Sequence, residues 1–511
     1  MKPRLSFTRR DFLKLLALLP VAAMAKMAGR ALPASAGDSH GAIVIVLDAL
    51  SALNMSLYGY PRNTTPNIER FAKRSTVYHA HYSTANFTSS GTASLLTGTY
   101  PWTHRAFHYE GLVAEEKVDF NLFRYWGESS HRLGYTQNTW ADLLLYQFSP
   151  WLDEHIDLRA FNIEKSPFYT DLFHADPIAA HKSVDSVALE LEPGVSATPA
   201  LALLRKALLH RGKQAADRKY AAEYPNGIPQ TLNDVNTYFL LEDVFDGVKK
   251  LTASLPPSAL AYLHLFPPHY PFAPRREFVD AFEDGWQPPV KPAAYFESPV
   301  SEEREAAVRS SLGQYDSYIA TVDEDFGNLF GFMEREGILD HNYVILTSDH
   351  GEVYERGVRG HTNQYLYEPL IRVPLIISSP GQTSRVDVRT PTSSVDLAPT
   401  LLALTGRPVP TECEGVLLPG LGGEEDAQRS IFAIDTKSSH VRAPIRNATI
   451  SLRRGAYKLI GYLGYEGMED GYELFDLQND PGEMVNLAAS RPEIFSDLQK
   501  EMGDKLCEVN A

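Results

Sequence analysis

Residues 86–98 read NFTSSGTASLLTG, with five hydroxyl side chains (Thr88, Ser89, Ser90, Thr92 and Ser94) crowded around Gly91 ahead of a short apolar run. One or two hydroxyls suffice to cap the helix that such a run announces. The others leave room for a nucleophile, an oxygen that attacks an ester and carries the transferred group. Carboxylates stand elsewhere in positions that suit a cation. AIVIVL (42–47) ends in Asp48, and YVILT (343–347) runs into Ser348-Asp349-His350-Gly351. Runs this apolar and β-branched, bounded by polar turns, read as buried strands of a parallel sheet. Ligands of such sheets bind beyond the carboxyl ends of the strands, where both Asp48 and Asp349 fall. Two acids delivered to one rim can share a cation; either one alone reads equally well as the cap of the next helix.

Helices must alternate with these strands for that rim to exist. Thr65-Pro66 opens one, with Thr65 as N-cap and Pro66 at the first helical position. Ile319, Val322, Phe326, Leu329, Phe330 and Met333 share one face of another, which Gly337 ends. Strands and helices alternating in this way predict an α/β fold with a mostly parallel central sheet. Residues 105–240, and 141–240 in particular, carry scattered prolines and histidines and read as a lid over the site or as an outer layer without function. Near residue 408 the text turns to GRPVPTECEGVLLPGLGGEED, a boundary rich in Gly and Pro. Beyond it ATISLRRGAYKLIGYL and YELFDL read as strands of a smaller α+β piece. The expected division is therefore 1–36, 37–408 and 409–511.

Composition narrows the class. Of 511 residues, 44% are hydrophobic and 22% charged, an ordinary globular mixture. Residues 1–36 hold seven Lys/Arg and one Asp, and the remainder carries 41 Lys/Arg against 63 Asp/Glu, a formal charge of −22. So acidic a body does not attract nucleic acid or anionic lipid through its overall field, and an anionic substrate needs a local positive centre. The start, SFTRRDFLKLLALLPVAAMAKMAGRALPASAG, has a basic beginning, a moderately apolar stretch and Ala34-Ser35-Ala36 as a cleavage site. Arg9-Arg10 followed by Phe12-Leu13-Lys14 resembles the twin-arginine export signal. Pro20 and Lys26 break the stretch before it can span a bilayer comfortably, so no stable membrane span is expected. The implied destination is the periplasm or the exterior, reached through the twin-arginine export machinery. Cys413 and Cys507 are the two cysteines, and whether they pair is left to geometry.

The stretches IVIVLDAL, YGYPRNTTPNIERFA, TASLLTGTYPWTH, YLHLFPPHYPF, YVILTSDHGE, YEPLIRVPLII, SVDLAPTLLALTG and YELFDLQNDPGEMVNLA occur in an order and spacing that resemble the sulfatase family of the alkaline phosphatase superfamily. The resemblance spans nearly all of residues 42–490. It implies an alkaline-phosphatase-like sandwich with a mostly parallel central sheet and a smaller C-terminal α+β subdomain. It also implies one divalent cation (Mg, Ca, Mn or Zn) held by Asp48, Thr88, Asp349 and His350, a set of oxygens with one imidazole. Many sulfatases carry a second acid after the first; here that residue is Ala49.

Counting back from Leu95-Leu96-Thr97-Gly98 places Thr88 at the position of the family's Cys or Ser nucleophile. Ser90, Gly91 and Thr92 stand where Pro, Ser and Arg are usual, and Ser89 and Ser90 are then left to cap the helix. In the family the Cys or Ser is oxidised to formylglycine, a maturation that threonine does not undergo. A phosphothreonine is cleaved readily by water beside a metal, so Thr88 tilts the expectation toward phosphate mono- or diesters. His269 in PPHYPF and His361 in RGHTNQYLYE match histidines that contact substrate or protonate the leaving oxygen. In some relatives the corresponding histidines hold a second zinc, so this set admits a second cation. Gly134-Tyr135-Thr136 also matches, but the QNTW that follows lacks the usual Lys-x-His pair. The expected substrates are small-molecule, lipid or glycan esters. The alternatives are a sulfatase that works without formylglycine and a silent binder of an anionic glycan or lipid headgroup.

Overall fold

A computed structural model describes residues 40–109, 111–163, 210–231 and 238–511. The signal-peptide reading of residues 1–36 and residues 164–209 of the expected lid lie outside the described residues.

Seven residues in a row without a polar side chain make β1 (Gly41–Leu47) a strand that must be covered on both faces, and all seven are buried. It pairs in parallel with β5 (Leu260–Leu265) on one side and β6 (Asn342–Thr347) on the other. The full sheet adds β2 (Thr76–Tyr78), β3 (Arg132–Thr136), β4 (Glu154–Ile156), β7 (Leu375–Ser378) and β8 (Val386–Val388). Its order is β8-β2-β7-β6-β1-β5-β3-β4, and β7 alone runs antiparallel to its neighbours. Two of its strands, β3 and β4, fall inside the stretch whose sequence reads as a lid.

Strand alternation divides the core into two layers. Ile43, Ile45 and Leu47 pack with α1 (Pro66–Ala72), α4 (Leu241–Ser254) and the long α5 (Glu302–Arg335). Ala42, Val44 and Val46 pack with α2 (Thr88–Thr97), α3 (Thr139–Gln147) and α6 (Leu397–Leu404). The face expected of α5 is its buried face, and Gly337 follows the helix with φ 68°. A separate antiparallel sheet, β9 (Ile431–Asp435), β10 (Ala448–Arg454), β11 (Tyr457–Leu463) and β12 (Gly471–Asp476), lies toward the C-terminus. Leu498 and Met502 of α7 (Pro492–Val509) pack against it. Cys413 and Cys507 are free thiols, so no disulfide joins them. Among the described residues no helix is long and apolar enough to cross a membrane.

Candidate active site

Four neighbouring strands, in the order β6-β1-β5-β3, deliver one polar residue each to the carboxyl rim of the sheet. Asp349 follows β6, Asp48 follows β1, and Asn138 follows β3. His264 is the penultimate residue of β5, in register with Val46. Ser348 joins the first two loops. Its Oγ accepts from Leu50 N at 2.9 Å and lies 2.7 Å from the Leu47 carbonyl, to which it can donate.

α2 brings the hydroxyl. Thr88 is its first residue, Phe87 is the N-cap, and no side chain caps the helix. The assignment of Ser89 and Ser90 as caps is thus corrected. Ser89 Oγ donates to the Tyr109 carbonyl, and Ser90 Oγ is buried without a partner. The helix therefore leaves its first N–H groups open toward the rim, an arrangement that favours an anion. Gly91 permits the close approach: a Cβ there would sit 2.3 Å from the Asp349 carbonyl oxygen.

All six residues singled out in the sequence meet in one cluster. Asp48, Thr88, Asp349 and His350 are 0% exposed, His269 is 5% and His361 4% exposed. Thr88 Oγ1 lies 3.3 Å from His350 Nε2. His350 Nε2 in turn lies 3.5 Å from Asp48 Oδ1 and 3.6 Å from Asp349 Oδ2. The His361 ring sits 4.3 Å from that of His350 and 4.8 Å from that of His269.

Three further residues belong to the cluster and escaped the sequence reading. Asn138 Nδ2 donates to Asp48 Oδ2 at 2.6 Å and reaches Thr88 Oγ1 at 3.2 Å, while its own Oδ1 caps α3 through Trp140 N. His264 Nε2 lies 3.3 Å from Asp48 Oδ2. Glu352 Oε1 lies 2.8 Å from His361 Nδ1. The partners assign the tautomer: Glu352 accepts from Nδ1–H, which leaves Nε2 for the site.

Two carboxylates without their own counter-charge define the electrostatics. Burial raises the Asp48 pKa, but the imidazole of His264 beside it, and then those of His269 and His350, outweigh it, and the carboxyl stays ionised. Burial, and then the negative charge of Asp48, push Asp349 well above the usual carboxylate range. Burial likewise pushes His350 well below the usual imidazole value, with His361 adding to the shift, so its ring is neutral and able to ligate. Asp48 Oδ1 and Asp349 Oδ2 are buried and have no hydrogen-bond partner. Left so, they carry a desolvation cost that a bound cation removes. Asp48, His264 and Asp349 each offer a ligand atom within 4.8 Å of the others, and so do His269, Glu352 and His361. The first group, with its orphaned oxygens, fits a divalent cation; the second is a candidate for another.

Comparison with known proteins agrees with the fold and the motifs. The family profile described as Sulfatase matches residues 41–142 and 209–407, more than half of the chain. A second, described as N-sulphoglucosamine sulphohydrolase, C-terminal, matches residues 359–511. The chain is 32% identical over 241 residues to the choline-sulfatase of Rhizobium meliloti, covering 43% of this chain and 44% of that one. It is 28% identical over 221 residues to arylsulfatase K of Bos taurus, covering 41% of this chain and 39% of the other. The chain thus spans about two fifths of the length of these curated relatives. A phosphonate monoester hydrolase from Silicibacter pomeroyi has the same fold, with a TM-score of 0.61 at 18% identity, covering 92% of this chain and 96% of that one. With the profile running from the first strand of the sheet through both acid-bearing loops, this chain belongs to the sulfatase family.

Proposed function

We propose that this chain is an exported, cation-dependent hydrolase or transferase of phosphate mono- or diesters that works through Thr88. The observation that carries the reading is the setting of Thr88 Oγ1. It is buried at the open end of α2, within 3.3 Å of His350 Nε2 and 3.2 Å of Asn138 Nδ2, against the Asp48–Asp349 pair. Asp48, Asp349 and His350 would hold the cation with Thr88, and its charge would stabilise an ionised threonine and the developing phosphoryl charge. Asn138 Nδ2 orients Thr88 Oγ1 by its hydrogen bond, and the free N–H groups of α2 face the non-bridging oxygens of the ester.

Thr88 Oγ1 bonds to phosphorus as the bond from phosphorus to the leaving alcohol oxygen breaks. His361, protonated and held by Glu352, gives its Nε2 proton to that oxygen. His269 donates Nδ1–H to the Tyr270 carbonyl, which turns its Nε2 toward the same space. Water, or an alcohol acceptor, then gives its proton to His361 Nε2 and bonds to phosphorus as the bond from phosphorus to Thr88 Oγ1 breaks. Threonine cannot become formylglycine, which is why phosphate is placed before sulfate. The second reading is hydrolysis of a sulfate ester by the unmodified threonine, favoured by the curated relatives, both of which are named sulfatases.

Intact-protein mass spectrometry after brief exposure to p-nitrophenyl phosphate, its bis-p-nitrophenyl diester and p-nitrophenyl sulfate separates the two. A phosphoryl adduct on residues 86–98, absent in Thr88→Ala, is expected. A sulfuryl adduct instead selects the second reading, and turnover that survives Thr88→Ala removes the nucleophile altogether.

A further inference from the structure

The cation cluster has a corner that comes from a strand interior. His264 sits within LAYLHL, a strand buried along its whole length, on the face that packs against α2. An imidazole in such a place needs partners for both ring nitrogens. Nδ1 has one, the buried Tyr262 hydroxyl at 3.0 Å. Nε2 points into the rim, 3.3 Å from Asp48 Oδ2 and 3.9 Å from Asp349 Oδ2. Asn138 Nδ2 already donates to that Asp48 oxygen at 2.6 Å, and Asp349 Oδ2 has no donor of its own. A second N–H from His264 would therefore crowd an oxygen that is already served, beside one that is not.

The spacing of the donor atoms tells the same story. His264 Nε2 lies 3.3 Å from Asp48 Oδ2 and 3.9 Å from Asp349 Oδ2, and His350 Nε2 lies 3.5 Å from the other Asp48 oxygen, Oδ1, and 3.6 Å from Asp349 Oδ2. Four ligands at about 2.0–2.1 Å from a tetrahedral ion stand roughly 3.4 Å apart. Six at the same bond length, the octahedral habit of magnesium, stand only about 2.9 Å apart. Calcium has longer bonds and would tolerate the spacing, but it is a hard ion that takes oxygen, and half of these donors are imidazole nitrogens.

We propose that His264 is a direct metal ligand through Nε2, and that two carboxylates and two imidazoles, with Thr88 Oγ1 at the remaining open position, select a zinc-type transition ion over magnesium or calcium. The proposal rests on the reading of this cluster as a cation centre. Tyr262 then accepts from Nδ1–H and holds the ring with its Nε2 lone pair toward the ion, as residues hydrogen-bonded to metal-bound histidines do.

The test uses the full chain stripped of metal and reloaded separately with zinc, cobalt(II) and calcium. X-ray absorption of the zinc form should count two imidazoles in the wild type and one in His264→Gln, and the visible bands of the cobalt form should change with them. Zinc affinity should fall in His264→Gln by more than the roughly 10–100-fold that removing a residue merely hydrogen-bonded to a ligand costs. His264→Asp should keep a cation site while moving its preference toward calcium. A single imidazole in the wild type, a count that needs no variant, overturns the proposal. So does a cobalt spectrum identical in wild type and His264→Gln, which leaves His264 as a positioning residue for Asp48. Stripped wild type that takes up none of the three ions overturns the cation centre itself, and the inference with it.

Discussion

Glu368 and Glu483 form one buried pair of acids, and Asp48 and Asp349 form another, but the first pair comes with its own cation. Lys458 on β11 donates to Glu368 Oε1 at 3.0 Å and to Glu483 Oε1 at 2.7 Å. The other two oxygens are also served, Glu368 Oε2 by the Tyr82 hydroxyl at 3.0 Å and Glu483 Oε2 by Glu368 N at 2.9 Å. Burial raises the Glu368 pKa, but the charges of Lys458, Arg372 and Arg453 together outweigh it and hold the group ionised, whereas burial keeps Glu483 above the usual carboxylate range. At the rim of the sheet no lysine or arginine pairs with Asp48 or Asp349 among the described ion pairs, and one oxygen of each is orphaned. A buried charge network complete within the chain is architecture. One left short of positive charge is a candidate site for a cation that supplies it.

This contrast breaks most visibly if Asp349→Asn and Lys458→Met behave alike. Asp349→Asn should lower cation affinity and turnover by more than about 100-fold, since it removes a ligand rather than a neighbour of one. Without cation the same variant should unfold at the wild-type temperature or above it, because the substitution removes an acid that burial already disfavours as an anion. Isothermal titration and thermal unfolding of the stripped protein check both halves. A stripped variant much less stable than stripped wild type would place Asp349 in the architecture after all.

Lys458→Met should do the reverse. Taking away the ammonium leaves Glu368 and Glu483 buried and uncompensated, a loss of about 3–5 kcal/mol. Denaturant unfolding should register that loss, while the surviving folded fraction binds cation with wild-type affinity, because Lys458 makes no contact with the rim cluster. Coupling between the two measurements would mean that both carboxylate pairs belong to one network.

The sequence made the rim legible where position along the chain carried the signal. Asp48 and Asp349 stand at the ends of β1 and β6, strands so apolar that their burial could be read directly. The family spacing then drew in Thr88, His350, His269 and His361. His264 was hidden because it lies within an apolar run, where the pattern says only that the strand is buried; register with Val46 is what places it beside Asp48. Asn138 lay in a stretch read as lid, although β3 turns out to be a member of the main sheet. Three-residue strands such as β2, β4 and β8 hold little periodic signal and exist through pairing. The caps assigned to Ser89 and Ser90 failed because Ser89 Oγ is spent on the Tyr109 carbonyl and Ser90 Oγ is buried without a partner.

The smallest effect expected falls on Glu352, which touches the chemistry only through His361. Glu352→Gln keeps an oxygen able to accept from His361 Nδ1–H but weakens that hydrogen bond by removing its charge. Turnover should drop about tenfold with KM nearly unchanged, at the low end for a residue that acts through its neighbour. The drop should also depend on the leaving group. p-Nitrophenolate departs without a proton, whereas an alkoxide needs one, so an alkyl phosphate should lose several times more than p-nitrophenyl phosphate. Equal losses on the two esters would mean that His361 does not protonate the leaving oxygen. The His269–Glu352–His361 group would then be better read like the Lys458 cluster, as packing around the site and not as a participant in it.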